Sequence, residues 1–374
     1  MKWCKLTINK KNQTIKIKEK SKKMKKILLS ELKTFSVEAL QKAGVNAANA
    51  KIIAETLVTT DMFGVISHGT KNLLNYILKM QAGGLDPHAE PSIKAEGPSW
   101  AVINGNAGMG MVSGVKAMET AIAKAKITGI AYVGVKNSCH FGAAGYYANL
   151  AAKQGMIGLS MSNGDPVMTI PNSSGVVIGN NPFSFAAPLK NGKSVFLDIA
   201  LSNVAALKVV NAKEKGEKVP KEWLVDADGN PTDDPSEFPE KSHLRPMAAH
   251  KGYGFAVMVE LLSSVLTGSG MLSDVKSWNL DMATPNNVGH AFIAIDIAQI
   301  LPMELFEARM ERLADELHNA KKAKGAERIY LPGELDWAKY DAACQSGKLE
   351  LNEVMAGNLV KLSEMFNLPL NLEK

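Results

Sequence analysis

Hydrophobic positions in the first part of the chain recur at helical spacing. Leu32, Phe35, Ala39 and Leu40 share one face of a helix that Ser30 would cap and Gly44 would end. Met24-Lys25-Lys26-Ile27-Leu28 reads as the opening of that helix. Asn46 caps a second helix with the stripe Ala50, Ile53, Ala54, Leu57 and Val58, running to Gly64. A third runs from about Thr70 to Met80 and stops at Gly83-Gly84, and Pro87 and Pro91 then mark a linker. The pattern changes at Trp100–Ile103, a short strand. Residues 111–126 follow as a helix, with Val115, Met118 and Ile122 on one face. Then come a β-rich run (Ile130–Val135), a helix (Ala143–Gln154) and strands at Met156–Met161, Phe183–Ala187 and Val195–Ile199. Residues 213–245 are polar and turn-rich, an expected surface excursion. Phe255–Leu266 is apolar on all sides and is expected in the core. A strand at Phe292–Ile295 precedes an amphipathic helix carrying Met303, Phe306, Met310, Leu313 and Leu317.

At 374 residues and ~150 per domain, the chain has room for two or three domains. Its 46% hydrophobic and 21% charged residues exclude a disordered or coiled-coil protein. The net charge of +6 would suggest an anionic partner, but it is unevenly placed. Residues 1–26 hold eleven lysines and one acid, whereas the rest of the chain holds 32 basic and 36 acidic side chains. The body is therefore mildly acidic, which argues against a nucleic-acid-binding body, and residues 1–24 read as a basic leader. That leader has no apolar h-region and no arginine, so neither a secretory signal nor a mitochondrial transit peptide is expected. Cys4, Cys139 and Cys344 are too few and too scattered for a disulfide framework, which points to a reducing compartment. No apolar run approaches ~18 residues, so no membrane span is expected.

Chemistry concentrates in four short segments. Residues 130–166 read as strand, loop, helix, strand, so the two strands should run parallel. Their outgoing loops, Asn137-Ser138-Cys139-His140-Phe141-Gly142 and Ser162-Asn163-Gly164-Asp165-Pro166, then share the carboxyl edge of the sheet, where ligands bind. Cys139 and His140 are sequence neighbours in an extended segment and point to opposite faces, which argues against a Cys–His dyad. Ser67-His68-Gly69 sits between two helices. Ser67 is either a plain N-cap or part of a site in which a helix N-terminus lowers the His68 pKa and offers N–H groups to an anion. Thr70, Lys71 and Asn72 are polar groups able to hold a carboxylate. His250-Lys251-Gly252-Tyr253-Gly254 enters the apolar helix and suits a phosphate or carboxylate, or serves only as a turn cap. The glycine-rich run Gly105–Gly114 matches neither a dinucleotide fingerprint nor a P-loop. Zinc spacings and a G-x-S-x-G elbow are missing too, and no metal site is expected.

Taken in order, several blocks resemble one family, the NAD(P)-dependent malate/L-lactate dehydrogenase-like oxidoreductases, which include L-sulfolactate and ureidoglycolate dehydrogenases. They are Ser67-His68-Gly69, the run at 140–147, Gly179-Asn180-Asn181-Pro182, Leu197–Ser202, Val219-Pro220, His250–Gly254, Gly289-His290 and Leu331-Pro332-Gly333-Glu334. The resemblance implies a mixed α/β fold with a non-Rossmann nicotinamide-binding domain at 96–334. A separate helical subdomain at 25–95 would be joined by the C-terminal 335–374. It implies a cytoplasmic homodimer that uses NAD or NADP to interconvert a small 2-oxo acid and its 2-hydroxy acid. Ureidoglycolate or a cyclic-imine carboxylate is the alternative substrate, and a nucleotide-binding protein without turnover is the non-enzymatic reading. By resemblance His68 is the proton donor and acceptor, oriented by Ser67, and His140 is a second acid/base or substrate ligand. Lys71, Asn72 and Asp165 would contact substrate, with Asp165 able to hydrogen-bond a catalytic histidine. Ser162, Gly164, Asn181, Asp198, Ile199, Ala200, His250, Lys251, Gly252, Pro332, Gly333 and Glu334 would hold the cofactor. Two departures stand out. Asn72 occupies a position where many members carry arginine, which removes a bidentate carboxylate clamp and with it the argument for malate. Val204–Lys208 also departs from the usual small-residue and arginine pattern, leaving the cofactor choice open.

Overall fold

A computed structural model describes residues 24–373; the leader at 1–23 lies outside the described residues. Lys25–Leu28 forms strand β1 rather than opening a helix. The reason is a distant partner: it pairs antiparallel with β12 (Lys348–Leu351), and buries Ile27. Helix α1 (Leu29–Lys42) begins directly after it, with Leu28 in the cap position and no side-chain cap from Ser30. Helix α2 (Ala47–Met62) starts as expected, with the Asn46 side chain accepting the Asn49 N–H at 2.9 Å. The third expected helix opens as two 3₁₀ turns, Ile66–His68 and Thr70–Asn72, before α3 (Leu73–Gln81). One apolar core joins α1, α2 and α3 to β12 and α10 (Glu353–Phe366) through Leu32, Leu40, Ile53, Leu57, Ile77, Met355 and Leu359.

The proline-marked linker leads into a strand that the pattern missed, β2 (Ser92–Gly97), which pairs with β3 (Trp100–Asn104). Helix α4 (Gly110–Thr128), β4 (Ile130–Ser138), α5 (Ala144–Ala152), β5 (Met156–Ser162), β6 (Phe183–Pro188) and β7 (Ser194–Ile199) follow. These strands and β11 (Val288–Asp296) make a seven-stranded sheet of order β2-β3-β4-β11-β5-β6-β7. Strands β4 and β5 run the same way but are not neighbours, because β11 lies between them, antiparallel to both. Their outgoing loops still share one edge.

The excursion contains more regular structure than its polarity suggested. Helix α6 (Ala206–Lys215) precedes it, and β8 (Leu224–Val225), β9 (Pro231–Thr232) and β10 (His243–Leu244) form a small antiparallel sheet. The apolar segment expected in the core becomes α7 (His250–Glu260) and a π-turn, Leu261–Val265. Only one side of it is buried: Phe255, Leu261, Val265 and Leu266 are exposed. The amphipathic helix α8 (Met303–His318) likewise leaves Leu305, Leu313 and Leu317 exposed. Helix α9 (Glu334–Ser346) packs Trp337 against Phe63 and Phe196.

Candidate active site

His140 lies just beyond the end of β4. Its neighbour Cys139 is buried on the opposite side, where its thiol donates to Asn286 Oδ1 at 3.0 Å. Burial pushes that thiol up to about 12, so it is no thiolate nucleophile. The half-buried His140 ring stacks on Trp278 (centroids 4.4 Å apart, planes at 14°) and faces His68 at 5.5 Å and 27°. Burial drives its pKa well below the ordinary 6.5, and the nearby His68 and His290 push the same way. Tyr76, from the buried face of α3, places its hydroxyl 2.5 Å from His140 Nδ1 and stacks on Trp278 at 5.2 Å. Trp278 belongs to a loop fastened by the fully buried Lys79, whose ammonium donates to the carbonyls of Asp281 and Thr284.

His68 comes from the turn between α2 and α3. Ser67 sits inside a 3₁₀ turn and makes no capping bond, so the plain N-cap reading does not hold; instead its Oγ lies 2.8 Å from His68 Nδ1. Asn72 donates its amide to the Ser67 carbonyl at 2.8 Å and thereby closes the turn. Beneath the turn lies Asp61, the last acid of α2. One of its oxygens accepts the Thr70 N–H at 2.9 Å and the Thr70 hydroxyl at 2.5 Å. Gly69 lies flat against the other oxygen: a Cβ there would come within 1.9 Å of Asp61 Oδ1. Burial raises the Asp61 carboxyl to about 7 despite the bonds from Thr70. Burial lowers His68 to about 4, and the Lys71 ammonium adds to the shift.

The second edge loop is held from below by two buried polar groups. His290 bridges the ends of β4 and β5, with Nε2 2.9 Å from Ser138 Oγ and Nδ1 2.8 Å from Ser162 Oγ, and its ring lies on Phe141 at 4.5 Å. Glu260, at the end of α7, accepts from the amides of Asn163 (3.2 Å) and Asn181 (2.9 Å) and from the Leu272 N–H (3.0 Å). Asn181 in turn accepts the Gly164 N–H at 3.2 Å, which ties the loops at 163–165 and 179–182 to each other. Asp165 is half-buried and raised by burial; the side chain that hydrogen-bonds it is Ser277, not a histidine.

The remaining residues lie farther along the sheet. Asp198 accepts the Gly145 N–H at 2.8 Å and so caps the start of α5, and burial raises it to about 6 with help from Asp336. Ile199 and Ala200 are half-buried where the chain leaves β7. The Pro332 carbonyl accepts the Phe196 N–H at 3.2 Å, Gly333 lies against the Phe196 ring, and Glu334 is engaged by Leu331 N–H, His318 and Arg328. His250 and Lys251 are exposed on the first turn of α7. The structure thus brings Ser67, His68, Lys71 and Asn72 together with His140, and gathers Asp198 and residues 332–334 at β7.

Tyr76, Trp278, Asp61, Lys79 and Glu260 carry this geometry, and the sequence reading missed them. Glu260 did leave a trace, as the one acid in a strongly apolar segment. His290 enters the sequence reading only through the Gly289-His290 block of the family resemblance.

His68 and His140 thus face each other beside the carboxyl edge of the sheet, and burial holds both imidazoles below their ordinary pKa. The chain belongs to the malate/L-lactate dehydrogenase family, whose model matches residues 27–359. It is 40% identical over 311 residues to a malate dehydrogenase of Pyrococcus abyssi, covering 81% of this chain and 85% of that one. Its structure resembles the malate dehydrogenase of Entamoeba histolytica with a TM-score of 0.87 at 30% identity, over 93% of this chain and 99% of that one. It also resembles the sulfolactate dehydrogenase of Methanocaldococcus jannaschii, with a TM-score of 0.86 at 33% identity over 92% and 98% of the two chains. The protein is a malate/sulfolactate dehydrogenase-like oxidoreductase, and its family implies a nicotinamide cofactor.

The residues present fit such a cofactor. At the entrance to α7, Ala248 and Ala249 take left-handed φ values of 47° and 54°. Gly252 presses on Met247, where a Cβ would come within 2.3 Å of the carbonyl oxygen. The Lys251 and Gly252 N–H groups donate to the Ala248 and Met247 carbonyls, which fixes this tight turn and leaves the exposed Lys251 ammonium as the group there that suits a phosphate. Gly164 borders open space, with no atom within 4 Å of where a Cβ would stand. No helix among the described residues is long and apolar enough to cross a membrane.

Proposed function

We propose that the protein interconverts a small 2-hydroxy acid and its 2-oxo acid with NAD(H) or NADP(H), using His68 as the proton acceptor and donor. The observation that carries this reading is the facing pair His68 and His140, each hydrogen-bonded among the described residues only at Nδ1. With its Nδ1–H donated to Ser67 Oγ, His68 keeps a lone pair on Nε2 and can take the hydroxyl proton as the 2-hydroxy acid is oxidised. Lys71, close enough to shift His68, supplies positive charge for the substrate carboxylate in place of the family's arginine. The amide of Asn72 is already engaged by the Ser67 carbonyl, so Asn72 shapes this end of the cleft, and Asp165 lines the opposite loop.

Bound nicotinamide supplies the hydride chemistry; the protein supplies orientation and charge. His250, Lys251 and Gly252 at the α7 entrance would hold the pyrophosphate. Gly164 and the Asp198-Ile199-Ala200 strand end would line the rest, with the buried Ser162 and Asn181 holding the loops behind it and Pro332, Gly333 and Glu334 at its far side. Purified protein is expected to consume NADH or NADPH, seen as falling near-ultraviolet absorbance, with at least one of a panel of small 2-oxo acids. Turnover of only ureidoglycolate or a cyclic-imine carboxylate would move the assignment to that substrate class. Cofactor binding with no turnover on any of these would overturn the reading.

The working form we propose is a cytoplasmic homodimer. The exposed apolar residues Phe255, Leu261, Val265 and Leu266 on α7 and its π-turn support it, since soluble monomers rarely leave such a patch uncovered. Sedimentation should give twice the chain mass for the native protein, and Leu266→Glu should shift it towards the monomer. A native monomer would remove the dimer from this reading.

A further inference from the structure

We infer that Tyr76 locks His140 in the tautomer with its proton on Nε2, so that His140 serves as a neutral hydrogen-bond donor and not as a base. Two groups meet Nδ1 of His140: the Tyr76 hydroxyl at 2.5 Å and the Gly142 N–H at 3.4 Å. A backbone N–H can only donate, so Nδ1 is an acceptor. The Tyr76 phenol is fully buried on α3, and its hydroxyl meets no hydrogen-bond partner among the described residues other than this acceptor, so it too donates to Nδ1. With Nδ1 accepting from both, the ring proton of neutral His140 sits on Nε2. Protonating Nδ1 as well would turn an N–H against two other donors.

The ring is also held in place. Trp278 lies against both His140 and Tyr76, and Lys79 fastens the Trp278 loop through two carbonyls. Nε2 alone has no hydrogen-bond partner among the described residues, and His140 is not fully buried. The charged or titratable groups acting on the ring are His68 and His290, both of which oppose a positive charge on it. Tyr76 is thus a positioning residue that acts through His140.

Applied to the proposed reaction, on which this step rests, the two histidines divide the work. His68 accepts the hydroxyl proton, while His140 donates a hydrogen bond to the same oxygen as it becomes a carbonyl. A neutral imidazole acting as hydrogen-bond donor is an established catalytic device.

The tautomer can be read without turnover. In protein carrying ¹⁵N-histidine, long-range ¹H–¹⁵N correlations distinguish Nε2–H from Nδ1–H, and His140→Asn identifies the signal. The native protein is expected to show His140 only as Nε2–H. Tyr76→Phe, with its fold checked by circular dichroism, should show a mixture of tautomers and a kcat lower by about 100-fold, with KM changed far less. An Nδ1–H signal in the native protein, or a Tyr76→Phe variant with unchanged tautomer and kcat, would overturn the inference. Pure Nε2–H in a native protein that turns over no substrate supports the lock and sinks only the dehydrogenase reading.

Discussion

His68→Ala is expected to lower the rate of 2-hydroxy acid oxidation by roughly 10²- to 10⁴-fold, the usual worth of a positioned general base. The fold should survive. The turn that presents His68 is held by Asp61 to Thr70 and by Asn72 to the Ser67 carbonyl, and neither bond involves the imidazole. The same residue sets the pH dependence. Its pKa is lowered from 6.5 to about 4, so the neutral, proton-accepting form persists through mildly acidic pH. The acid limb of kcat/KM for oxidation should therefore fall near pH 4 and not near 6.5.

The linked effect on stability has a definite sign. A histidine depressed in the folded state contributes fully above pH 6.5, and its contribution is lost as pH falls towards 4. Asp61 runs the other way, since its folded pKa is raised to about 7: its contribution is full below 3.8 and is lost as pH rises through 7. Denaturant melts of His68→Ala across pH 4–7 should show a weaker loss of stability on acidification than the native protein. A fully active His68→Ala enzyme would remove the base role assigned to it.

Glu260→Ala is expected to cost about 3 kcal/mol of stability and to raise KM for the cofactor. Three N–H donors meet this buried side chain, from Asn163, Asn181 and Leu272. A buried donor left without an acceptor costs about 1–3 kcal/mol. The Asn163 amide keeps its bond to the Gly270 carbonyl and the Asn181 amide its bond to the Ala256 carbonyl, so the full sum is not reached. The functional effect follows because Glu260 ties together the loops at 163–165 and 179–182, which the cofactor reading uses. Glu260→Gln should lose less, since one oxygen can still accept from Asn163 and Leu272. Urea midpoints check the first effect and cofactor titrations the second. A change below about 1 kcal/mol for Glu260→Ala would show that the loops are held by other contacts.

Much of the site was legible in the chain, for particular reasons. His140 and the Asn163–Asp165 loop follow strands that run the same way, so strand order alone placed them at one edge. Ser67 and His68 stood in a short polar gap between two well-patterned helices, where only a turn could form. The order of the motif blocks then pointed to the family. Other readings failed because local pattern does not record what lies opposite. Lys25–Leu28 resembled a helix start, yet β12, more than 300 residues later, makes it a strand. The segment at 255–266 looked like core because it is apolar all round, but one side of it faces outward.

By itself, the sequence determined the helices with capped, periodic stripes, the loops that carry the histidines, and the family. Those follow from periodicity and spacing, which act over a few residues. Only the tertiary structure decided which nitrogen of His140 is free, because that depends on Tyr76, which α3 brings to the ring. It alone placed β11 between β4 and β5, setting His290 beneath the site, and brought Trp278 and Lys79 to His140. Hydrogen bonding and burial act across space. Their partners are fixed by the path of the whole chain, which no short stretch of it records.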